Sequence, residues 1–157
     1  MKQLIKILLS TLMLCSCSIF FFTDFRQYLD AAEKAEKEQN YKEAIQQYKG
    51  HIIFRKSDSG RFKDENPYFY QLMIGDLYIK LKNPESAEKA FLIALKHNIS
   101  PPLCAERLRR IGTYYLEEKK YEEAFAILRK HRELDPLLFD LEIDKVHKAS
   151  IGQEENF

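Results

Sequence analysis

Four histidines and three cysteines are the side chains in this 157-residue sequence best suited to holding a metal or attacking a substrate. A helical zinc site needs two histidines one turn apart with a glutamate beside them, so that both rings point to one ion. His51, His97, His131 and His147 are nowhere so spaced, and no HExxH occurs. A nucleophilic serine on a G-x-S-x-G elbow and a glycine-rich phosphate loop are both missing. The acidic residues fall in the runs EKAEKE (33–38) and EEKKYEE (117–123), where they alternate with lysines as they do on solvated helix faces. The sequence thus reads as a non-enzyme with no metal site and no cofactor. His51 and His131 read as satisfied residues at helix contacts, and Cys104 as a small core residue. The acceptor-like triplet Asn98-Ile99-Ser100 carries no weight.

Cys17 stands apart from the other thiols. It follows a start with Lys2 and Lys6, an apolar stretch Ile7–Leu14 broken by Ser10 and Thr11, and then Leu14-Cys15-Ser16. The stretch is shorter than the about 20 residues that cross a bilayer and has the shape of an export signal. Leu14-Cys15-Ser16-Cys17 resembles the bacterial lipobox, with Ser16 as the small residue before the cut. That resemblance implies a signal peptide over residues 1–16, lipid on Cys17 and a tether over 17–24. Cys15 fits less well, because Leu14 would then take the small-residue place. Acyl chains anchor a protein by burying methylenes, at about 0.8 kcal/mol each, and stable anchoring takes more than one chain. Residues 18–23 (SIFFFT) are apolar enough to meet lipid, the first helix or a partner. With Cys17 lipidated, Cys104 has no partner for a disulfide.

The rest of the chain reads as helical. Charged residues make up 31% against only 5 Gly and 5 Pro, and a net charge of +1 offers no field to draw in nucleic acid. Asp24 is a plausible N-cap, followed by Tyr28, Ala31, Ala32 and Ala35 at helical spacing. Asn40 closes that helix, and Tyr41, Ala44, Ile45, Tyr48 and Ile52 mark the apolar face of the next.

This helix-turn-helix recurs. Ala32, Gly75 and Gly112 occupy one small position, followed three residues on by Ala35, Tyr78 and Tyr115. Tyr41, Pro84 and Tyr121 open the second helices. Ala44, Ala87 and Ala124 take the crossing position, with Tyr48, Phe91 and Leu128 four residues later. The pattern resembles the tetratricopeptide repeat, whose unit is about 34 residues. His51 and His131 replace a usual alanine, and Lys56 and Ile99 replace the closing proline. The crossing alanines are 43 and 37 positions apart, which places insertions in Ser57–Asn66 and Asn98–Pro102, between repeats. The resemblance implies an all-α superhelix, a solenoid of three helical hairpins plus a C-terminal capping helix. The domain spans 25–149, with repeats at about 25–58, 68–101 and 105–138. The cap covers 137–149 through Leu138, Leu141 and Val146, and 150–157 is a loose tail.

The same resemblance implies a concave face for a protein or peptide partner, lined by the first helix of each hairpin. The family's groove positions fall on Arg26, Leu29, Asp30 and Glu33, then on Phe69, Leu72, Met73, Asp76, Ile79 and Lys80, then on Glu106, Arg109, Arg110, Thr113 and Glu117. The groove is expected at Phe69, Leu72, Met73, Asp76, Lys80, Arg109, Arg110 and Thr113, with a partner's carboxylate at Arg109 or Arg110. Leu72 and Ile79 could equally pack between hairpins. Chaperone-binding members hold a C-terminal carboxylate with Lys and Asn; here those places carry Leu29, Glu33, Met73, Glu106 and Arg110, and of these Arg110 alone fits.

Together these readings give a lipid-anchored interaction scaffold of the bacterial cell envelope, similar in architecture to barrel-assembly lipoproteins. Alternatives are a surface lipoprotein binding an extracellular ligand and an adaptor for an envelope enzyme. Ser18 after the lipidated cysteine favours the outer membrane over the inner.

Overall fold

The structure is a computed structural model and describes residues 26–154. The leader, Cys17, the tether and Asp24 lie outside the described residues. Among the described residues seven α-helices follow one another: α1 (Arg26–Lys37), α2 (Tyr41–Ser57), α3 (Tyr70–Lys80), α4 (Pro84–Lys96), α5 (Pro101–Glu117), α6 (Tyr121–His131) and α7 (Pro136–Glu154). Short 3-10 turns at Pro67–Phe69 and Arg132–Leu134 lead into α3 and α7. Packing is closest within the pairs α1/α2, α3/α4 and α5/α6, so the expected three hairpins and final helix are present.

The hairpins share one turn chemistry. Gln39, Lys82 and Lys119 each adopt a left-handed conformation, with φ between 55° and 58°. In each turn the next amide bonds back to the carbonyl five residues earlier, Asn40 to Ala35, Asn83 to Tyr78 and Lys120 to Tyr115, at 2.8–2.9 Å. These are Schellman closures, which satisfy carbonyls that the helix end leaves over. Asn40 therefore does more than end α1: its side chain accepts from the Glu43 amide and caps α2. Asn83 does the same for α4 through Ser86, with Pro84 in the first turn where its missing N–H costs nothing.

Two apolar clusters form the core. One joins Ala32, Ala44, Ile45, Tyr48 and Ile52 of the first hairpin to Ile74 and Leu77 of the second. The other runs from Leu72, Ala87 and Phe91 through Leu108, Ile111, Ala124 and Leu128 to Phe139 and Val146 of α7. Gly75 and Gly112 allow the helices to cross closely. A Cβ on Gly75 would stand 2.6 Å from Cδ1 and Cζ of Phe91, and one on Gly112 would stand 2.5 Å from Cγ of Leu128.

Three sequence readings need correction. Pro101 and Pro102 are not part of an inter-repeat loop but open α5 as its first turn. α7 continues to Glu154, so residues 150–154 are its last turns, not a tail. Of its three expected core residues, Val146 is buried and Leu138 packs against the core, but Leu141 does not. Phe139 and Val146 are fully buried, whereas Leu141 is 57% exposed. The face runs through 139, 142, 143 and 146, and it carries the buried carboxylate Glu142.

The long insertion is tied down. Arg55, 4% exposed at the end of α2, pairs with Asp58 and Glu65 at the two ends of the loop. A second bond from Arg55 Nε to Glu65 measures 2.7 Å. That hydrogen bond and the charge behind it hold the Glu65 carboxyl below its ordinary value against the opposing effect of burial.

Candidate functional site

α3 packs beside α5, and a cleft of about 350 Å³ is lined by residues of α1, α3 and α5. Its walls are Glu36 from α1, Met73, Asp76, Ile79 and Lys80 from α3, and Arg110 from α5. On α3 the residues 73, 76 and 80 fall three and four apart, which stacks them on one helix face. The structure thus brings Met73, Asp76, Lys80 and Arg110 together.

The charges in the cleft are partly engaged with one another. Arg107 Nε donates to Asp76 Oδ2 at 2.9 Å, and Arg110 stands 3.8 Å from the same carboxylate. Burial nevertheless pushes the Asp76 carboxyl above its ordinary value, with the two arginines pulling the other way. Lys80 lies 3.7 Å from Glu36 and over the Tyr41 ring at 5.2 Å. Arg110 also donates to Glu106 at 3.2 Å, yet its side chain stays 47% exposed. The cleft therefore combines the apolar side chains of Met73 and Ile79 with two ion pairs, Glu36–Lys80 and Asp76–Arg110.

The other expected groove residues are placed differently. Leu72 is 1% exposed and belongs to the core, because it sits on the side of α3 that meets α4 and α5. Phe69 is exposed at the start of α3, edge-on to Tyr70, and outside the cleft walls. Arg109 and Thr113 are engaged by α7. Arg109 Nη1 donates to Glu142 Oε2 at 2.8 Å, and the Thr113 hydroxyl donates to Glu142 Oε1 at 3.0 Å. Burial raises the Glu142 carboxyl, but hydrogen bonds from Lys145 and Thr113 and the charge of Arg109 outweigh it and hold the group low. The carboxylate expected at Arg109 from a partner is thus supplied by the chain itself.

Sequence reasoning missed Glu36, Arg107 and Glu142. Glu36 and Arg107 look like any solvated helix charge. Glu142 stands three residues after Phe139 on the same face, and that spacing was the available signal. Of the two crossing histidines, His131 packs as expected of a satisfied residue, with Nε2 2.6 Å from Glu88 Oε1, whereas His51 is buried edge-on to Tyr70, with centroids 4.5 Å apart.

Residues 72–137 match the family described as tetratricopeptide repeat. No curated protein matches the sequence. Among solved structures, the tetratricopeptide repeat domain of Arabidopsis OM64 is similar at 17% identity and a TM-score of 0.50, over 79% of this chain and 94% of that one. The first such domain of Spaghetti (RPAP3), solved bound to the HSP90 peptide SRMEEVD, is 23% identical with a TM-score of 0.49, over 81% and 95% of the two chains. The OM64 likeness establishes the fold, a stack of helical hairpins.

Proposed function

We propose, from the premise that this chain is a tetratricopeptide repeat protein, that it is a lipid-anchored interaction scaffold of the bacterial cell envelope. Its partner is a protein segment lying in the cleft between α1, α3 and α5. The supporting observation is the convergence of Met73, Asp76, Ile79, Lys80 and Arg110 on one open cleft, while Arg109 and Thr113 of the third hairpin are taken up by Glu142 of α7. Methionine and arginine are residue types that anchor interfaces, and Arg110 retains exposed donors for a partner's carboxylate. An apolar side chain seated on Met73 and Ile79 with an acidic neighbour beside Arg110 fits the walls.

The anchor belongs to the same proposal: Cys17 carries the lipid, and the outer membrane is the favoured location. Two experiments test the reading. Labelled palmitate should enter the protein and be lost in Cys17→Ser. Affinity capture of crosslinked complexes from intact cells should recover a discrete partner with the native protein and lose it with Met73→Ala/Arg110→Glu. Undiminished recovery with that double variant would remove the cleft from the account.

A further inference from the structure

The exposed apolar side chains gather at one edge of the stack. Each tight turn reverses the chain, so α1, α3, α5 and α7 begin at the edge where α2, α4 and α6 end. Contacts across it join these ends. Asn66 Nδ2 donates to the His97 carbonyl at 2.7 Å, and the Tyr68 and His97 rings stack with centroids 3.5 Å apart.

Phe62, at 76% exposure, sits in the loop at this edge, and Leu137, at 73%, begins α7. Ile53, at 71%, lies near the end of α2, and Leu103 and Leu141 lie near the starts of α5 and α7. The less exposed Phe69 and Ile93 belong to the same edge. Among the described residues, Ile151 is the large exposed apolar side chain placed elsewhere. The opposite edge is built from the turns 38–40, 81–83 and 118–120, which expose Glu38, Gln39, Lys82, Asn83, Glu118 and Lys119.

The apolar edge also carries cations. Arg61 and Lys63 flank Phe62 and line a polar hollow of about 380 Å³ with Lys96. Lys56 lies over the Tyr68 ring at 5.6 Å. The nearby Asp58 and Glu65 are paired with Arg55, leaving Asp64 as the opposing charge in the loop. Aromatic and aliphatic tips interleaved with lysine and arginine suit a bilayer interface: the apolar tips enter the headgroup boundary while the cationic heads reach the phosphates. The chain enters at this edge too, since α1 begins at Arg26 and the preceding sequence carries Phe20, Phe21 and Phe22.

We propose that this edge rests on an anionic membrane surface, so that the hairpins stand upright on the lipid. The inference uses the lipid-anchored reading for the presence of a membrane and adds the face that meets it.

The test uses the full-length lipidated protein in phosphatidylethanolamine–phosphatidylglycerol vesicles. An environment-sensitive fluorophore is attached at Phe62→Cys, Leu137→Cys or Lys119→Cys, with lipid-borne quenchers in the bilayer. Emission at positions 62 and 137 should shift to the blue and be quenched, while position 119 stays water-like. Arg61→Gln/Lys63→Gln should lose the shift and quenching at 62. Quenching at 62 no greater than at 119 overturns the proposal. So does a blue shift at 62 that is already complete without lipid, because a second copy or residues 18–22 would then cover the edge. The mass of the Cys17 peptide reads the anchor separately: an unmodified Cys17 would sink the anchored reading, while the vesicle-bound fraction still reports on the edge.

Discussion

Replacing Gly75 by alanine sets two effects of opposite sign against each other. In a helix interior the change gains about 1 kcal/mol of intrinsic propensity. Against this, the new Cβ would lie 2.6 Å from two ring carbons of Phe91 and closer still to a third, Cε1. Carbon pairs prefer about 3.5–4.0 Å, so the overlap is on the order of 1 Å. Phe91 is completely buried, which leaves its ring nowhere to swing, and α3 and α4 must separate. Overpacking of this kind costs about 1–3 kcal/mol and more where a ring is trapped, and the pair pushed apart is one of the three tightly packed hairpins. We expect Gly75→Ala to lose about 2 kcal/mol net, which lowers the melting temperature by roughly 5–10 °C in a domain of this size. Gly152 is the control: nothing lies within 4 Å of its would-be Cβ, so Gly152→Ala should leave stability unchanged or slightly higher. Denaturant unfolding followed by far-ultraviolet circular dichroism reads both. Adding Phe91→Leu to Gly75→Ala should recover more than additivity allows, as coupled neighbours do. A Gly75→Ala protein at least as stable as the parent would refute the close crossing.

Three further expectations follow from the packing of the last helix and the buried carboxylates. Glu142→Ala should lose about 2 kcal/mol in denaturant unfolding, because it removes charged hydrogen bonds to Arg109 and Thr113 while Arg109 keeps Glu106. Phe139→Ala should cost about 3–5 kcal/mol, whereas Leu141→Ser should be nearly silent; comparable losses would put the face of α7 back where the apolar pattern suggested. Acid should weaken the stack. The Glu106 carboxyl is held below 4.5 first by its bond from Arg109, and Glu88 by Lys130 and His131 in spite of burial. Glu142 is held low as well, from the same ordinary value of 4.5. Groups with lowered folded values contribute stability above the unfolded value that is lost as pH falls through the folded one. Thermal unfolding followed from pH 7 downward should therefore show the midpoint dropping below the ordinary glutamate range, less steeply in Glu142→Gln.

The hairpins were legible because their determinants are local. The small residues at 32, 75 and 112, the alanines at 44, 87 and 124 and the turns between them recur in fixed order, and the helical period of 3.6 sorts the faces. The phase of α7 was legible only in part, since Leu138 and Val146 meet the core and Leu141 does not. Leu137, Leu138, Phe139 and Leu141 are consecutive enough to suit two faces, and the choice between them is made by Arg109 and Thr113, which hold Glu142 from about 30 positions away. For the same reason the groove was read too widely. The helical period marks which residues share a face, but Leu72 is turned into the core by α4 and α5, and Arg109 is consumed by a helix that the repeat pattern does not contain. Arg55 shows the same limit, since its two carboxylate partners frame a loop that reads from sequence as merely polar.

The central claim, a cleft open at Met73, Asp76, Lys80 and Arg110 while α7 engages Arg109 and Thr113, is tested most directly by photo-crosslinking in intact cells. A photoreactive residue is placed at Met73, at Lys80 or at Thr113 in otherwise native protein. Positions 73 and 80 should give the same discrete adduct with a partner, and position 113 should give none beyond the chain itself. A partner adduct from 113 with none from 73 and 80 would contradict the account.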